Sequence, residues 1–154
     1  MKGRSVILAG GSGGLGACLA EGLAELGAIP VIGCRGNHKR ADALANNLSK
    51  RFGVQVPVVA GDVLHGSVRG QLIDAAKQAG TLYGLVPLLG SPARIPIEKA
   101  TEQDLIDSMR VNFVGPVLLA RDFAAAVLSL FAAPRTSPRP EPPTESSPGN
   151  RGSA

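Results

Sequence analysis

Apolar positions fall in short unbroken runs that alternate with segments of helical spacing. Ser5–Gly10 forms one such run and predicts a strand. Gly14–Leu26 follows with the spacing of a helix, and Ile29–Cys34 predicts a second strand, with Pro30 at its start, where a missing N–H is tolerable. His38–Phe52 carries Ala41, Leu44, Ala45 and Leu48 on one helical stripe. Gln55–Ala60 predicts a third strand, and Val68–Ala79 a third helix with Leu72, Ile73, Ala76 and Ala79 on one face. Leu82–Leu89 predicts a fourth strand. Thr101, with Asp104 three residues on, predicts an N-cap, and a long helix is expected from there to about Phe131. Strands apolar on both faces that alternate with helices imply a parallel sheet covered on both sides.

Past Phe131 the pattern ends. Residues 132–154 hold six of the twelve prolines, interleaved with Ser, Thr, Gly, Glu and Arg. Such a segment buries too little to offset its ordering entropy, so two regions are expected: a domain over 1–131 and a disordered Pro/Ser-rich tail over 132–154. Hydrophobic residues make up 44% and aromatics 3% of the 154 residues, so the core must come from Val, Ile, Leu and Ala. The net charge of +4 is scattered and few aromatics accompany it, which argues against a nucleic-acid partner. Cys18 and Cys34 lack a second ligand at metal spacing, so neither zinc nor a disulfide scaffold is expected, and a reduced, cytoplasmic setting follows. Lys2 and Arg4 precede an apolar run, and Leu15-Gly16-Ala17-Cys18 has the look of a lipoprotein cleavage box, but the glycines from Gly10 break the run after four residues. No stretch approaches the ~20 apolar residues of a membrane span, because Arg121 and Asp122 interrupt the best one.

The candidate chemistry lies where the first strand meets the first helix. Gly11-Ser12-Gly13-Gly14-Leu15-Gly16 satisfies G-x-G-x-x-G, and Gly10, Gly14 and Gly16 satisfy G-x-x-x-G-x-G. Glycines let the backbone approach a pyrophosphate, and the helix beginning near Gly14 aims its N–H groups and dipole at the anion. No Lys-Ser/Thr follows, which excludes a P-loop. At the end of the second strand, where an NAD site carries an acid for the ribose, the sequence reads Gly33-Cys34-Arg35-Gly36-Asn37. A guanidinium there suits a 2′-phosphate, so NADP (NADPH) is favoured over NAD. Asp62, in Gly61-Asp62-Val63, is either an adenine contact or a loop cap.

Together these residues resemble the short-chain dehydrogenase/reductase family over about residues 4 to 131. Gly10 to Gly16 match its cofactor turn, Arg35 its NADP-type position, Asp62 and Val63 its adenine contact, and Gly90 the end of its fourth-strand motif. Val111-Asn112-Phe113-Val114-Gly115 is similar to the segment that bears a catalytic Asn. The resemblance implies an α/β, Rossmann-type, doubly wound parallel sheet of about four strands in the order 3-2-1-4. It also implies an oxidoreductase lineage, with a small carbonyl or alcohol as substrate only if another chain completes the site. Three departures stand out. Ala9 replaces the usual Thr, and Pro87-Leu88-Leu89-Gly90 replaces Asn-Asn-Ala-Gly. The family's later Ser and Tyr-x-x-x-Lys have no counterpart: Tyr83 is the only tyrosine, and no lysine follows Lys99. A chain truncated before that set is expected to bind a dinucleotide without turnover. Full reductase activity with a partner chain, or a role as a dinucleotide sensor, are the alternatives. The resemblance further implies an uncovered fourth strand and a helix built for an interface, hence a homo-oligomer.

Overall fold

The computed structural model describes residues 1–90 and 95–132. Four strands, β1 (Arg4–Ala9), β2 (Ile29–Cys34), β3 (Val58–Ala60) and β4 (Thr81–Pro87), form one parallel sheet in the order β3-β2-β1-β4. They alternate with α1 (Gly14–Glu25), α2 (His38–Phe52) and α3 (Gly66–Ala79). After a short 3₁₀ turn at Ile97–Lys99 come α4 (Glu102–Met109), a π-helical turn (Arg110–Val114) and α5 (Gly115–Ala132). The expected doubly wound, Rossmann-type sheet is therefore present.

Alternation along β1 divides the core. Val6 and Leu8 point to one face, where Ala20, Ala24, Ile32, Ala41 and Leu48 cover them from α1, α2 and β2. Ile7 and Ala9 point to the other, against Leu72, Ile73 and Ala76 of α3 and Leu119 of α5. Small residues at helix positions such as Ala20, Ala24, Ala41 and Ala76 let the helices lie close to the sheet, which is how a core almost without aromatics closes.

Three sequence expectations need correction. The third strand begins at Val58 rather than Gln55: Pro57 has no N–H for the ladder, although its carbonyl still accepts from Ile32 N at 2.9 Å. The long helix is not uniform. Gly115 N donates to the Arg110 carbonyl, five residues back, and Pro116 has no N–H for the ordinary bond four residues back, so a π turn separates α4 from α5. The reading that no stretch approaches a membrane span also fails. Glu102–Ala132 is long and apolar enough by length and composition, because Arg121 and Asp122 stand in an otherwise apolar stretch. Its attachment is to the domain: Leu119 is fully buried, Phe123 and Val127 pack beside it, and Asp122 pairs with Arg69 of α3.

Pro87 closes β4 without breaking it. Leu88 N donates to Ala9 O at 2.8 Å, so the nitrogen of its neighbour Pro87 points to the opposite side of the strand, away from β1. The expected tail and the boundary at 131 fall on residues 133–154, which lie outside the described residues, apart from Phe131 and Ala132 at the end of α5.

Candidate functional site

The carboxyl ends of β1, β2 and β4 open into one crevice of about 420 Å³. It sits where β1 has neighbours reached in opposite directions along the chain, the point at which sheets of this kind hold ligands. Of the candidate residues, Gly10, Gly13, Arg35, Asp62, Val63 and Gly90 line it. Ser12, Gly14, Leu15 and Gly16 form the adjoining turn and first helical residues without lining the crevice; Leu15 points away and is 81% exposed.

The turn depends on two glycines. Gly10 has φ +86°, and a Cβ there would meet the Leu88 carbonyl oxygen at 2.6 Å. A Cβ on Gly16 would lie 2.5 Å from the Gly11 backbone, so only glycine lets α1 start this close to the turn. Gly10 N donates to Gly33 O at 2.9 Å and Gly13 N to Gly10 O at 3.2 Å, which fixes the loop against β2. The first intrahelical bond is from Ala17 N to Gly13 O. The N–H groups of the preceding helical residues therefore have no partner within α1, no side chain caps them, and no acid stands in the first turn. A backbone cradle of this kind fits an anion.

Beyond β2, Arg35 is 59% exposed, with Nη1 3.8 Å from Asp62 Oδ2. Of the two readings of Asp62, the loop cap is present, with Oδ1 accepting from Leu64 N at 2.9 Å, while Oδ2 faces Arg35 across the rim. His38, Lys39 and Arg40 occupy the first turn of α2, with Asn37 capping Arg40 N, and no acid accompanies them. The cations of Lys39 and Arg40 at this helix N-terminus oppose the dipole, an arrangement an anion would relieve. Cys34 is buried behind this rim, and that burial pushes its thiol pKa up, with Asp42 adding to the effect.

At the other end, Asn112 lies in the π turn. Its Nδ2 donates to Ser108 Oγ at 3.1 Å, and a Cβ on Gly90 would come within 3.3 Å of its Oδ1. Two residues distant in sequence thus meet at the crevice lip. Leu88 and Leu89 supply an apolar wall there. Tyr83 stands apart, unpaired at an irregularity in the β1–β4 register, with Arg4 stacked on its ring at 4.4 Å.

Sequence reasoning missed Arg69 and Asp122. Arg69 Nε donates to Asp122 Oδ2 at 2.6 Å, and its Nη1 to the carbonyls of Val63 at 2.7 Å and Leu64 at 3.0 Å. The hydrogen bond from Arg69 holds the Asp122 carboxyl below its ordinary pKa, and Arg121 adds to this. The signal was present: Arg69 precedes Leu72 and Ile73 by three and four positions, so it falls on the apolar stripe of its helix.

Comparison with known proteins agrees with this geometry. The profile of a family described as short chain dehydrogenase matches residues 4–132. An uncharacterised oxidoreductase of Methylorubrum extorquens is 31% identical over 125 residues, 81% of this chain and 50% of that protein. Galactitol 2-dehydrogenase of Rhizobium johnstonii is 29% identical over 134 residues, 84% of this chain and 50% of that protein. The structure of L-sorbose reductase from Gluconobacter frateurii, complexed with NADPH and L-sorbose, superposes with a TM-score of 0.75 at 25% identity, covering 84% of this chain and 49% of that one. The chain spans about half the length of the relatives it matches.

Proposed function

This chain belongs to the short-chain dehydrogenase family, and from that premise we propose that it is the NADP(H)-binding part of an oxidoreductase, able to hold the dinucleotide but not to turn over alone. The observation that carries this reading is the glycine turn with the uncapped start of α1, opening onto a crevice whose far rim holds Arg35 and Asp62. The pyrophosphate would lie on the turn and first helical residues from Gly10 to Gly16, Ser12, Gly13, Gly14 and Leu15 among them. Arg35 would pair with the 2′-phosphate, and the basic first turn of α2 favours the same charge. Asp62 Oδ2 would accept from the adenine amino group, Val63 would wall the base, and Gly90 would leave room at the nicotinamide end.

The dinucleotide, when bound, supplies the hydride. What this chain adds is orientation and exclusion of water, with Leu88 and Leu89 lining the crevice. Asn112 is the candidate catalytic residue, as a hydrogen-bonding group beside Gly90. A carboxamide moves no proton at neutral pH. Reduction of a carbonyl, or oxidation of an alcohol, would therefore need an acid/base from a second chain or a further segment.

Fluorescence titration of NADPH and NADH tests the cofactor reading. The native chain should prefer NADPH, and Arg35→Asp should reverse the preference by about tenfold or more, as expected when an ion pair becomes a like-charge contact. No binding of either nucleotide would sink the proposal. A panel of aldehydes and ketones with saturating NADPH should show no oxidation of the cofactor by the chain alone.

A further inference from the structure

Among the described residues, Arg69 is the one buried charged side chain, 8% exposed. A buried guanidinium is tolerated only where its donors are satisfied. Here they are spent on Asp122 and on the Val63 and Leu64 carbonyls, directly behind Asp62. The same turn is held from a second direction. Gly115, the first residue of α5, packs so closely on Val63 that a Cβ would come within 3.1 Å of Val63 Cγ2. Asp122 belongs to α5 as well. The helix that follows the Asn112 turn therefore grips the Asp62–Leu64 turn twice, once through Gly115 and once through Asp122 and Arg69.

We propose that Arg69, anchored by Asp122, is a positioning residue for the adenine end of the dinucleotide site. It holds the carbonyls of the Asp62–Leu64 turn from behind, so that Leu64 N can fix Asp62 Oδ1 and leave Oδ2 toward the crevice. The proposal rests on the cofactor reading above, and it assigns to α5 the placing of the base.

The test uses the full chain, with AMP and NADPH as probes and amide hydrogen exchange as an independent readout. Arg69→Met should weaken AMP and NADPH to a similar degree, by about tenfold for the lost hydrogen bonds. Exchange at Leu64 and His65 should accelerate, while Ala17 and Ala20 in α1 keep their protection. Gly115→Ala should weaken AMP with Arg69 intact. Should Arg69→Met not fold, Arg69→Lys carries the test, because its single nitrogen cannot stand both where Nε meets Asp122 and where Nη1 meets the two carbonyls. Native AMP affinity in the variant that folds would overturn the proposal, as would accelerated exchange spread evenly over the sheet and α1. A native chain that binds neither AMP nor NADPH overturns the cofactor reading and this one together. Tight binding by the native chain and by the variants overturns this one alone.

Discussion

At the scale of single residues, the site is governed by what is missing from side chains as much as by what they carry. Gly16→Ala would drive a methyl to within 2.5 Å of the Gly11 backbone, where no flexible side chain can yield. The expected result is a loss of about 1–3 kcal/mol of stability, read as a lower urea midpoint, together with loss of NADPH binding as the turn moves away from α1. In Asp62 the two carboxylate oxygens differ, since Oδ1 caps its own loop and Oδ2 stands 3.8 Å from Arg35 at the crevice rim. Asp62→Asn should keep the cap, because an amide oxygen still accepts from Leu64 N. It should weaken adenine binding relative to the native chain, since the group toward the rim loses its charge. AMP titration of this variant checks the point, and native affinity would place the base elsewhere.

At the scale of elements, caps and ion pairs fix where helices begin and how they dock. Thr101 and Asp104 form a reciprocal capping box at the start of α4, with Asp104 N donating to Thr101 Oγ1 at 3.2 Å and Thr101 N donating to Asp104 Oδ2 at 2.9 Å. Thr101→Ala should cost about 1 kcal/mol, seen as fraying of α4 by hydrogen exchange. The Arg69–Asp122 pair gives α5 a pH-dependent attachment. The folded Asp122 pKa lies below its unfolded value, so the pair contributes stability above the ordinary carboxylate range and loses it as pH falls from about 4 downward. Asp122→Asn should flatten that acid limb in urea titrations from pH 5 to pH 2, and an unchanged slope would show that other carboxylates set it. The elements themselves were legible because period and capping agree: β1, β2 and the first three helices fall within two residues of the sequence reading. The π turn was not read, although Pro116 inside a helical pattern was the available sign. Arg69 was overlooked because a charge on an apolar stripe has meaning only when its partner is known, and Asp122 is 53 residues away.

At the scale of the molecule, the two faces of the domain are unequal. The sheet core is closed, but Leu105, Ile106, Met109, Phe113 and Val117 are exposed apolar side chains along α4, the π turn and the start of α5, and among the described residues β4 is an outer strand of the sheet. We expect the chain to self-associate through this side: sedimentation equilibrium should give a mass that rises with concentration, and Phe113→Glu, which puts a charge on that surface, should lower it. A concentration-independent monomer would contradict the expectation. Pro87 tempers β4, because its nitrogen faces away from β1 and offers no donor to a neighbour on that side.

The order β3-β2-β1-β4 also sets a schedule. β1 meets β2 early in the chain, but Arg4 must find Thr81 before the central strand gains its second neighbour. Pairings of such long separation are slow to close. Leu88, whose carbonyl stands against Gly10, arrives with that last pairing. During refolding, helix and partial sheet signals should therefore develop first, and competence to bind nucleotide should appear only in the final phase. A nucleotide present throughout meets the glycine turn and Arg35 early, but the wall of Leu88 and Leu89 closes the crevice only once β4 has paired.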